Sequence, residues 1–128
     1  MTVQKMATRI LEAIRYCVNP SFAELLNACG PEGRGDLVVR FPGKENLILW
    51  TDVSQLFIDA LNLIKPKTEI HKVSELLYLM DGAVLTLDVP SERLIMRTLK
   101  RGEDFKKPMW LPVTISLKSE LENSETAL

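Results

Sequence analysis

Residues 76–88 read LLYLMDGAVLTLD, and how this stretch is parsed decides how much sheet the chain carries. Two periodicities compete over it. Ile70, Val73, Leu77 and Met80 recur at helical spacing. Asp81-Gly82, however, is the strongest two-residue hairpin signal in the sequence, since tight hairpin turns need positive φ and Asp-Gly tolerates it. A two-residue turn pairs Met80 with Ala83, Tyr78 with Leu85 and Leu76 with Leu87. These six side chains then share one apolar face, while Thr86 and Asp88 take the other. A slip of one residue would scatter them. The register therefore predicts strands near 76–80 and 83–89, and leaves 67–75 open between helix and strand.

Downstream, Met109, Leu111, Val113, Ile115 and Leu117 alternate with Trp110, Pro112, Thr114 and Ser116, the most regular strand pattern in the chain. Pro112 has no N–H to give a ladder, so this strand belongs at an edge or carries a bulge. Between the two strand patterns, Ser91 opens a short segment that reads as a basic helix. From Lys118 the composition turns polar and acidic (KSELENSETAL). The expected organisation is one domain over 1–118 and a flexible acidic tail over 119–128.

Upstream, Val53, Leu56, Phe57, Ala60, Leu61 and Ile64 form a helical stripe that Thr51-Asp52 can cap and Lys65-Pro66 ends. Ile58 falls on its polar side as a single exposed apolar residue. Leu37, Val39 and Phe41 alternate before the turn Pro42-Gly43-Lys44-Glu45, and Leu47 to Trp50 resume the strand character. This is a hairpin whose second strand, apolar on both faces, is an inner one. Val3, Met6, Ile10, Ile14 and Cys17 mark a first helix. Ser21 and Glu24 form a capping box opening a second, which carries Phe22, Leu25, Leu26 and Cys29 and stops at Gly30-Pro31.

The sum is an α+β domain: a mainly antiparallel sheet of about five strands with three to four helices packed on it. A winged helix fits poorly. Its second helix would be followed by another helix, whereas here a hairpin follows, and the 53–64 helix has no Lys or Arg.

The chain has 128 residues, 46% hydrophobic and 26% charged, which suits one domain able to hold a core without metal or disulfide. A net charge of −1 excludes a uniformly basic nucleic-acid coat but allows a local basic face. The N-terminal residues lack the apolar run of a signal peptide, and no window is apolar enough to span a bilayer. The expected location is the cytoplasm, with no membrane contact. Cys17, Cys29 and the single histidine, His71, cannot make a four-ligand zinc set. Both cysteines sit on apolar stripes and read as small buried thiols, with no metal and no cofactor expected.

Only one constellation has a direct physical use. Drawn as a helix, Arg93, Arg97, Lys100 and Arg101 stand at i, i+4, i+7 and i+8, forming one basic stripe, with Lys106 and Lys107 beyond. Such a stripe can neutralise phosphates, and Trp110 nearby can stack on a base or cap the core. The plain alternative is a solvated helix face. The glycine-rich loop GPEGRG precedes a strand and has no Walker lysine, so it reads as a permissive turn. His71 has no Cys or Ser partner nearby in sequence, and no GxSxG elbow exists. Three functions follow in order. The first is a non-enzymatic interaction domain that docks a protein partner or a second copy through an open strand edge or an over-wide apolar helix. The second is nucleic-acid binding by the 93–107 stripe, and the third is a small enzyme of unknown class.

Overall fold

A computed structural model describes residues 1–118; the expected acidic tail, 119–128, lies outside the described residues. Helix α1 spans Val3–Tyr16 and buries Met6, Ala7, Ile10, Ala13 and Ile14, the face its spacing predicts. Helix α2 spans Phe22–Cys29 behind the expected box: the Ser21 hydroxyl accepts from Glu24 N, and the Glu24 carboxylate accepts from Ser21 N. Gly30, at φ 80°, ends it in a conformation glycine adopts without strain.

Strands β1 (Arg34–Arg40) and β2 (Leu47–Val53) form the expected antiparallel hairpin, and β2 is the central strand of a three-stranded sheet, order β1-β2-β4. Leu47 to Trp50 are all buried, as befits a strand covered on both faces. The hairpin ends in an irregular pairing where both Arg34 and Leu37 face Val53, beside Asp52 at φ 60°. Gly35 sits inside this irregularity. A Cβ there would lie 2.8 Å from the Val53 carbonyl oxygen, so only glycine lets the strands approach this closely. Helix α3 (Gln55–Ile64) follows, capped by Ser54 and not by Thr51-Asp52. The Ser54 hydroxyl accepts from Phe57 N and donates to Glu32 O, tying the helix start to the turn ahead of β1. Ile58 is half-buried against the core instead of exposed.

The single sheet of about five strands is corrected. Among the described residues there are five strands in two small sheets, three and two strands wide, with five α-helices. Pro112 is the physical cause. The predicted 109–117 strand is two strands: β4 (Met109–Trp110), parallel to β2, and β5 (Val113–Leu117), antiparallel to β3 (Thr68–Lys72). Leu111 N still donates to Ile48 O of the first sheet. One residue later Pro112 has no N–H to offer, and its carbonyl accepts from Val73 N beside the second sheet. The chain changes sheets where the ladder must lapse. The open segment 67–75 is thereby resolved chiefly as strand β3.

The 76–89 hairpin is also corrected. Leu76–Met80 is a short helix, α4, and no strand forms over 83–89. The Asp-Gly signal does another job. Gly82, at φ 72°, sends its N–H to Leu79 O while Ala83 N donates to Tyr78 O, the paired bonds of a Schellman helix stop. A left-handed glycine serves a hairpin turn and a helix terminus equally well. Tertiary packing makes the choice. Tyr78 is fully buried, its hydroxyl accepting from Phe22 N at 3.1 Å and donating to Val113 O at 2.7 Å, which pins α4 to α2 and β5 at once. Its ring stacks on Trp50 at 4.9 Å and meets Trp110 edge-on at 5.1 Å. Helices α1 and α3 pack against each other, and their buried residues belong to the same core as this aromatic cluster.

Candidate functional site

Helix α5 (Glu92–Arg101) carries the basic stripe. Ser91 caps its start by accepting from Leu94 N, and Gly102, at φ 67°, ends it in a second Schellman stop. Ile95 and Thr98 turn inward, and the Thr98 hydroxyl donates to Leu94 O, so its polarity is spent inside its own helix. With that face fixed, Arg93, Arg97, Lys100 and Arg101 are exposed. Among the described residues, none of the four has a carboxylate within ion-pair distance, and neither does Lys106. Lys107 does: its Nζ lies 2.6 Å from an Asp88 oxygen, and this hydrogen bond and charge hold the Asp88 carboxyl below its ordinary range.

Arg97, Arg101, Lys106 and Lys107 line one open groove of about 400 Å³ with Glu103 and Asp104; Arg93 and Lys100 are not part of its lining. Asp104 is already occupied, since its carboxylate accepts from Asn46 N and Phe105 N. Lys44 Nζ donates to Glu103 O, which fastens the same loop to the β1–β2 turn. The groove keeps an excess of cations, held on a helix and on a braced loop. Trp110 stands apart from its six candidate companions. It is fully buried against Trp50 and Tyr78, so its ring is offered to the core and not to a base.

A set of exposed apolar side chains is not legible from the sequence pattern. Among the described residues, eleven large apolar side chains are exposed, and six of them fall in one segment: Leu76, Leu79, Met80, Val84, Met96 and Leu99. A hairpin over 76–89 would aim Leu76 and Met80 inward, whereas α4 leaves both exposed. On α5, Met96 and Leu99 are three residues apart and share a side of the helix, and Lys100 and Arg93 flank Met96.

The other candidates hold little chemistry. The structure does give His71 a serine partner, Ser116 on the facing strand, with His71 Nε2 2.6 Å from the hydroxyl. Among the described residues no carboxylate hydrogen-bonds the other ring nitrogen, and neither residue lines a cavity described above, so the pair lacks the oriented base of a nucleophilic site. Cys17 and Cys29 are both free thiols. Burial pushes the Cys29 thiol up to about 11 against the lowering charge of Arg9, the reverse of what activates a cysteine. Among the described residues, no three His, Cys, Asp or Glu side chains gather to hold a metal, and no helix is long and apolar enough to cross a membrane.

Comparison with protein-family models, curated proteins and solved structures returned no match for this chain.

Proposed function

We propose that the chain is a non-enzymatic interaction domain whose docking surface is the outer side of α5. The carrying observation is that α5 exposes Met96 and Leu99 on the same helix as four cations that have no acidic partner among the described residues. Exposed apolar surface rimmed by charge is the usual character of a protein-binding patch. The cations favour a different protein with acidic side chains over a second copy. A two-fold pairing through α5 would set like charges against like. The outer edges of β1 and β3, unpaired among the described residues, are the alternative docking elements. They carry Arg34, Asp36 and Arg40, and Glu69 and Lys72, respectively, the charges that discourage strand addition.

The test is site-specific photo-crosslinking in cell extract from position 96 and, as control, from Glu12 on the exposed side of α1. One partner captured from position 96, absent from position 12, and lost on R93Q/R97Q/R101Q substitution is the expected result. Equal capture from both positions refutes the assignment.

A second reading, nucleic-acid binding, has support from the stripe Arg93, Arg97, Lys100 and Arg101 and from the cationic groove beside it. It predicts salt-sensitive retention on heparin that the same triple variant abolishes. Flow-through of the unaltered protein at low salt removes it.

A further inference from the structure

We propose that the cleft between the two sheets is a binding site for a small apolar carboxylate, of the kind represented by a medium-chain fatty acid. The inference is independent of α5, none of whose residues line this cleft. The site exists because the strand break at Pro112 splits the strands into two sheets that share no backbone hydrogen bonds, leaving a seam over the core. The seam opens into a cavity of about 300 Å³, the small end of the range of about 300–1,000 Å³ found for ligand sites. Its floor is Phe22, Leu49 and Ile115, all buried residues of the core that nonetheless border open space. Val39 and Leu61 form half-buried sides, and Ile70 the exposed rim.

The charge of the lining selects the occupant. Among the described residues, Arg40 and Lys65 are its only ionisable members, both positive. Arg40 spends its Nε on Glu45 O, which leaves the other guanidinium nitrogens uncommitted, and neither cation has a carboxylate in ion-pair range among the described residues. An apolar cleft bordered by two unneutralised cations suits a ligand with an apolar body and one anionic head. A cationic amphiphile meets repulsion, and an anion without an apolar body leaves the cleft empty. A carboxylate on a guanidinium gains charge-assisted, two-pronged hydrogen bonds.

The full chain is titrated with octanoate, octylamine and acetate, reading methyl chemical shifts and calorimetric heats. Saturable octanoate binding is expected, with the shifts concentrated at Leu49, Ile70 and Ile115, and with octylamine and acetate at least about tenfold weaker. R40Q/K65Q replaces two exposed side chains, so the fold is retained, and it weakens octanoate by about tenfold or more. R93Q/R97Q on α5 leaves it unchanged. The proposal is overturned if octylamine binds as well as octanoate, if R40Q/K65Q keeps full affinity, or if no saturable shift appears at the methyl groups of Leu49, Ile70 and Ile115.

Discussion

Replacing Tyr78 by phenylalanine removes one oxygen atom and keeps the ring that stacks on Trp50 and Trp110. Two buried groups then lose their partner. Phe22 N is in the first turn of α2, where no intrahelical acceptor exists, and it depends on the Tyr78 oxygen at 3.1 Å. The Val113 carbonyl loses the hydroxyl that donates to it at 2.7 Å. An orphaned buried donor costs about 1–3 kcal/mol and a lost hydrogen bond about 1 kcal/mol, so Y78F destabilises by about 2–4 kcal/mol at neutral pH. For a domain of this size that lowers Tm by about 6–15 °C. The pH dependence adds an independent check. Burial pushes the Tyr78 phenol from 10.0 up to about 12, outweighing the lowering by its bonds to Phe22 and Val113. The folded state therefore holds this proton more tightly than the unfolded chain. The associated stability is complete below pH 10 and is lost as pH rises towards 12. A shift of this order corresponds to about 2–3 kcal/mol, so the gap between wild type and Y78F narrows by about that much across the window. Urea unfolding at pH 7 and at steps from pH 9.5 to 12 measures both effects, and Cys29, present in both proteins, cancels. A Y78F protein as stable as wild type at pH 7, or a gap that stays constant through the alkaline range, refutes the claim that this hydroxyl locks α4 in place.

Gly35→Ala forces a Cβ to within 2.8 Å of the Val53 oxygen and 2.9 Å of the Ser54 Cα, both backbone atoms, so β1 and β2 must part and stability falls by about 1–3 kcal/mol in the same urea assay. Gly82→Ala has free space around its new methyl but keeps φ at 72°, so it costs only about 1–2 kcal/mol from backbone strain; an unchanged midpoint would argue against the helix stop. In the native protein at pH 8, an aromatic disulfide reagent is expected to titrate one thiol promptly, Cys17, which is half-buried. Cys29, with no exposed surface and a raised thiol pKa, reacts only on unfolding, and two fast thiols by mass spectrometry contradict that placement.

What the sequence determined by itself was the set of features specified within a few residues and open to one reading only. The helical face of α1, the capping box of α2, the β1–β2 hairpin and the inner position of β2 follow from spacing and from caps that act over three or four positions. The cations of α5 were legible for the same reason, since Ser91 starts the helix and i+4 spacing collects Arg93, Arg97 and Arg101 on one side. Tertiary structure decided what local chemistry leaves degenerate. Asp81-Gly82 offers a left-handed residue to a hairpin or to a helix stop at equal cost, and the distant groups Phe22 N and Val113 O, by binding the Tyr78 hydroxyl, settled it. Trp110 alternates correctly for a strand, yet alternation does not say which face is covered; Trp50 and Tyr78 cover it. Pro112 announced a fault in the ladder, but only the whole chain determined that the fault would divide the sheet in two and open a cleft between the parts. Periodicity is a property of one segment, whereas burial is a relation between segments, and both surfaces proposed to bind depend on that relation.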